Sequence, residues 1–177
     1  MQKFELLKAL GAGDFQHLNG SLEAHLKGTA QLLQQWQARD TVIDAGLFHA
    51  AYGTAGFNDN MVSLNQRRDI ADVIGKEAES LVYLYCSCDR DVVFAQFGHQ
   101  EKIMFRDRFT DARFELTEAL AADFCEITVA NELELVLADT SFKAKYGAEL
   151  LELFVRMDRY LSQAACNAYR SALAEFY

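Results

Sequence analysis

The chain runs for 177 residues without a single proline. Proline lacks the amide N–H and its ring clashes with the carbonyl four residues back, so it is the residue that most sharply stops a helix. The loops of mixed and all-β proteins usually contain several. A chain this long with none is free to form long, uninterrupted helices. Apolar residues make up 51%, with 13 Phe and 7 Tyr. That is enough to bury a sizeable core, and the length fits one domain with a helical appendage.

Periodicity supports the helical expectation. Gln2 to Leu10 reads as a short amphipathic helix stopped by the glycines at 11 and 13, and a turn-like segment carrying His17 follows. Ser21 is placed to cap a helix to about Trp36, with Leu22, Leu26, Leu33 and Trp36 at helical spacing. Asp40 or Thr41 opens the next, Val42 to about Tyr52. It is apolar nearly all round, the signature of a buried central helix. Gly53 to Asn60 is a polar, glycine-bearing loop. Ser63-Leu64-Asn65-Gln66 is a capping-box pattern opening a helix to about Ile74. Gly75 interrupts, and Lys76 to about Ser87 forms a helix with Ala78, Leu81, Val82 and Tyr85 on one side. Asp89 to Asp111 is the least regular stretch, read as short helical pieces and loop without a convincing strand. Thr117 to about Asp139, Thr140 to about Tyr160, and Ser162 to the C-terminus complete an all-α bundle of eight or nine helices. Residues 1–177 are expected to form one domain, with 140–177 as a helical pair packed on it. The apolar stripe of that pair (Leu150, Leu151, Phe154, Met157 and Leu161) also admits a homodimer.

Seventeen basic against 26 acidic residues give a net charge of −9, which repels phosphate backbones and anionic lipid. Nucleic acid and membrane are therefore not expected partners. Met1 to Leu10 carries Lys3, Glu5 and Lys8, which argues against a signal peptide, and nothing reaches the ~18 uncharged apolar residues of a membrane span. The expected location is cytoplasmic. Cysteines 86, 88, 125 and 166 fit buried thiols in a reducing cell. Cys86 and Cys88, two apart on a helix, point to different faces.

Three of the four histidines fall at 17, 25 and 49, and the fourth is His99. His25 begins the run His25-Leu26-Lys27-Gly28-Thr29-Ala30-Gln31-Leu32-Leu33. His49 ends the apolar helix in Ala45-Gly46-Leu47-Phe48-His49-Ala50-Ala51-Tyr52-Gly53-Thr54. An imidazole at the end of so apolar a helix is costly to bury unless its nitrogens are paired. His49 is thus expected to meet a metal, a carboxylate or a polar pocket.

These two runs resemble the HD-domain superfamily over roughly residues 15–135, and more narrowly a small HD-like family with the boxes Gly28-Thr29, Ala45 to His49 and Tyr52-Gly53-Thr54. The resemblance implies an HD-domain-like helical bundle with paired histidines and carboxylates around a divalent metal. His25 matches the first histidine and His49 the second, and Asn131 stands at the late ligand position. Two carboxylates of that pattern are replaced, one by Ala50 and one by Asn131. Neutral imidazoles and an amide oxygen hold Mg²⁺ or Mn²⁺ poorly but can hold Zn²⁺, Fe²⁺ or Ni²⁺, so the expected cofactor is one divalent transition metal (Fe, Zn, Mn or Ni) or, equally, none. His17, His25, His49 and Asn131 form the expected metal set, and Glu132, Asp44 and Asp59 are the acids able to complete it. Three readings of the histidines stay open: a rearranged metal site, a metal-free pocket with acid/base imidazoles, and core groups that are merely satisfied.

Tyr52 and Thr54 are expected at the mouth of the same cavity, with Gly53 as a left-handed cap. Arg67, Arg68 and Arg90 are cations able to face an anionic ligand or to form surface ion pairs. Phe94, Phe97, Phe105 and Phe109 bracket His99 as a lid or as core. The expected function is a small-molecule enzyme related to the metal-dependent HD hydrolases, with His25 and His49 as catalytic residues and Tyr52, Thr54, Arg68 and Arg90 as ligand contacts. The alternative is a non-catalytic small-molecule-binding protein on the same scaffold.

Overall fold

The proline-free chain folds into helices. A computed structural model describes residues 2–10, 20–56 and 60–177. The readings made for glycines 11 and 13, for His17 and for Asp59 lie outside the described residues. Ser21, expected to cap the second helix, falls inside that helix, which already begins at Gly20. Nine α-helices occur among the described residues, so the protein is all-α. Internal contacts divide the chain into two compact units, Met1–Cys88 and Asp89–Tyr177.

In the first unit, α1 (Gln2–Leu10) buries Phe4 and Leu7. Helix α2 (Gly20–Gln35) presents Leu26, Thr29 and Leu33, all fully buried at three- and four-residue spacing. Helix α3 (Asp40–Leu47) packs against both α2 and α5 (Lys76–Ser87). It is shorter than its apolar run suggested, because the chain leaves helical geometry at Phe48 and turns through 48–52. Gly53 follows with φ +73°, the left-handed conformation expected of it. The Ser63–Gln66 capping box forms: the Gln66 side chain accepts from the Ser63 N–H at 3.0 Å. It opens a 3₁₀ turn leading into α4 (Arg67–Ile74). Gly75, at φ +87°, separates α4 from α5.

The second unit begins with α6 (Arg90–Val93), capped by the Asp89 carboxylate. The stretch read as irregular contains an antiparallel pair, β1 (Met104–Arg106) and β2 (Arg113–Glu115), in the register Met104–Glu115, Phe105–Phe114, Arg106–Arg113. Three residues are too few for alternation to show in sequence. The pairing rests on the turn instead, where the Asp107 carboxylate accepts from the N–H groups of Phe109 (2.8 Å) and Thr110 (3.1 Å). Helix α7 (Glu118–Ala138), capped by Thr117, is the spine of this unit; α8 (Thr140–Met157) and α9 (Gln163–Ala172) both pack on it. Asp139 caps α8, its carboxylate accepting from the N–H groups of Ser141 and Phe142. The rings of Phe97 and Phe105 lie 6.3 and 6.4 Å from Phe124 of α7, so these phenylalanines are core. His99 is exposed.

Two acids, buried Glu126 and half-buried Asp158, lock the C-terminal helices. Glu126 accepts from the Ser162 hydroxyl at 2.6 Å and the Ser162 N–H at 3.1 Å. Asp158 accepts from the Tyr169 hydroxyl (2.7 Å) and the Cys166 thiol (3.2 Å) and pairs with Arg170. Burial pushes the Asp158 carboxyl up, but the bonds from Tyr169, Cys166 and Arg170 outweigh it and hold it below its ordinary value. A depressed folded value means that its stabilisation is complete above about pH 4 and is lost as pH falls through that lower value. Asp158→Ala strands the fully buried Tyr169 hydroxyl and is expected to cost about 1–3 kcal/mol in urea unfolding at pH 7. The cost should shrink at pH 3, and an equal cost at both pH values would contradict this account.

Candidate functional site

Helices α2 and α3 bring His25 and His49 together in the first unit. Their ring centroids are 5.2 Å apart and nearly perpendicular, at 87°. His49 is 3% exposed, and His25 is half-buried. Tyr85 of α5 closes on the other partner of this contact, its ring 5.6 Å from that of His49 at 84°.

The position of His49 follows from the way α3 ends. Its Nδ1 lies 2.7 Å from the Gly46 carbonyl oxygen. A carbonyl can only accept, so Nδ1 carries a proton and donates it to this bond. The His49 carbonyl accepts from the buried Cys86 thiol at 3.1 Å, tying this residue to α5 from its backbone as well. On α2, the Thr29 hydroxyl donates to the His25 carbonyl at 2.9 Å. All four cysteines are buried and none is in a disulfide, as expected of thiols in a reducing cell. Burial and the Asp158 carboxylate push the Cys166 thiol up to about 11, so it stays a proton donor.

A second polar cluster surrounds Glu79. This carboxylate, 5% exposed, accepts from the Tyr52 hydroxyl at 2.9 Å and takes both Arg67 bonds, at 2.7 and 2.9 Å. The Arg67 guanidinium also lies over the Tyr83 ring, 3.8 Å from its centroid. Burial first, and the Glu79 bond after it, push the Tyr52 phenol far above its ordinary value. Tyr52 is therefore a fixed donor and not a base at neutral pH. Thr54 is buried and Arg68 is exposed on α4. Asp44 forms an ion pair with Lys3 at 2.5 Å.

Arg90 and Asn131 lie in the second unit. Both meet Glu132: Arg90 at 3.3 Å and the Asn131 amide at 3.1 Å. Among the described residues, no group of three or more His, Cys, Asp or Glu side chains is placed to hold a metal ion. No described helix is long and apolar enough to cross a membrane.

Sequence reading placed Gly46 in the Ala45 to His49 box, Tyr85 on the apolar side of its helix and Cys86 among the buried thiols, but gave none of them a role in the site and did not name Glu79. Glu79 had a visible signal, since it sits three residues before Val82 and seven before Cys86, on the buried side of α5. A carboxylate on such a face needs fixed cations or hydroxyls.

Residues 6–90 match the model of a domain of unknown function, DUF6817. That span is nearly coextensive with the first unit and contains His25, His49, Tyr52, Arg67 and Glu79. No curated protein and no solved structure matches the chain.

Tyr52→Phe removes one charge-assisted bond to Glu79 and is expected to cost about 1.5 kcal/mol. Glu79→Ala strands Tyr52 and Arg67 together and should cost more. Urea midpoints at constant slope measure both, and equal costs would contradict the shared network.

Proposed function

We propose that the first unit is an HD-like scaffold carrying a small-molecule enzyme site centred on His25 and His49, related to the metal-dependent hydrolases but with an altered metal site. The observation that carries this reading is the edge-to-face approach of the two rings at 5.2 Å, with the His49 tautomer set by the Gly46 carbonyl. Metal-binding histidines are commonly held this way, with one ring nitrogen donating to a backbone carbonyl and the other left basic. The same arrangement serves a histidine that takes a proton from substrate or water.

The donor set was tested against a metal by its chemistry. Two neutral imidazoles fit Zn²⁺, Fe²⁺ or Ni²⁺ and do not fit Mg²⁺. A bound ion of that kind would supply Lewis-acid polarisation of a water or substrate oxygen. The protein's own contribution is positional. Gly46 holds the proton at His49 Nδ1, the Cys86 thiol fixes the His49 carbonyl, and the Tyr85 ring shields one side of the imidazole from water.

A non-catalytic small-molecule-binding role is the second reading. Ala50 favours it, because a buried methyl stands where the HD pattern has a carboxylate. Asn131 favours it too, since a neutral amide stands where the HD pattern has its second carboxylate.

Metal analysis of protein purified without a histidine tag separates the two. The enzyme reading predicts about one equivalent of Zn, Fe, Mn or Ni, lost in His49→Ala and in His25→Ala alike. Metal-free protein whose melting is unchanged by added Zn²⁺ or by chelator would remove the metal from the account and favour the binding role.

A further inference from the structure

We propose that Gly46 is the positioning residue of the histidine pair, setting both the spacing of the two rings and the tautomer of His49. The proposal rests on the reading of His25 and His49 as one site.

Two independent features of the same residue carry it. The first is steric. A Cβ built on Gly46 would stand 2.3 Å from Leu33 Cδ1, and 3.7 Å from both Leu33 Cγ and the Thr29 methyl. No real Cβ tolerates the first distance, so any side chain at 46 must push α3 away from α2 or displace Leu33. Leu33 is fully buried and has little room to move. Thr29, the other residue at this contact, bonds the carbonyl of His25 one turn earlier. A shift at position 46 is therefore passed to the turn of α2 that carries His25.

The second feature is the carbonyl of Gly46. It lies in the last turn of α3, where carbonyls run out of partners within the helix. The His49 ring takes it at 2.7 Å, which orients the imidazole and places its proton on Nδ1. One residue thus holds the helix crossing through its missing side chain and the imidazole through its oxygen.

The test is histidine-ring ¹⁵N NMR on the full chain, kept free of metal. Wild-type His49 is expected to carry its proton on Nδ1 and to show a ring-proton NOE to His25. Gly46→Ala should lose that NOE and give mixed His49 tautomers. Adding Leu33→Ala, which removes the methyl in the way, should restore both signals, while Leu33→Ala alone should keep them. Should Gly46→Ala fail to fold, the double variant is compared directly with Leu33→Ala, and matching signals support the proposal.

A wild-type proton on Nε2 overturns the proposal, as do a Gly46→Ala chain with unchanged tautomer and NOE and a double variant that fails to recover them or to fold. Because no metal is present, the outcome is separate from that of the metal analysis. A chain that responds this way but binds no ion keeps the positioning role alone. One that binds an ion through His49 yet ignores Gly46→Ala keeps the metal reading alone.

Discussion

The approach of α2 to α3 at Gly46 is the contact on which the first unit turns. A glycine inside a helix costs about 0.5–1 kcal/mol relative to alanine. Complete burial of a leucine such as Leu33 contributes about 1.5–3 kcal/mol, so the close crossing is favourable on balance. It has a chemical consequence as well. The imidazole at the end of α3 becomes buried against α2 and α5, and burying a polar ring without partners costs about 1–3 kcal/mol per stranded group. The Gly46 carbonyl removes that cost at Nδ1, and in doing so fixes a proton on that nitrogen.

The well-partnered acids of both units can be set beside this pair. Glu79 is saturated by Tyr52 and Arg67, Glu126 by Ser162, Asp107 by two backbone N–H groups of its own turn, and Asp158 by Tyr169, Cys166 and Arg170. Each accepts bonds from donors fixed in the scaffold, and none is arranged as one of a carboxylate pair poised for acid/base work. These groups hold helices in place. The histidines add a ring-to-ring contact, an edge-to-face approach of two imidazoles with centroids 5.2 Å apart.

Much of this was legible in the sequence because it depends on local rules. The missing prolines, the heptad-like spacing of Leu26, Leu33 and Trp36, the Ser63–Gln66 box and the capping residues Thr117 and Ser162 act within a few residues of themselves, and all read correctly as helix signals. The pairing of His25 with His49 was expected from their runs, and the rings do meet. What escaped notice depends on distant partners. The hairpin at 104–115 is set by one aspartate in its turn, and three-residue strands are too short to show alternation. The roles of Gly46 and Glu79 depend on which side chain of another helix lies opposite, Leu33 in one case and Arg67 with Tyr52 in the other. Asn131, assigned by pattern to a ligand position, donates from its amide nitrogen to its neighbour Glu132 in the second unit.

The central claim is that His25 and His49 act as one centre. Pulsed EPR with one equivalent of Cu²⁺ as a probe tests it directly, because echo modulation counts the imidazoles bound to the ion. The account predicts two imidazoles in the wild-type protein and one in either single His→Ala variant. A single imidazole in the wild type, or a spectrum unaltered by His49→Ala, would contradict it.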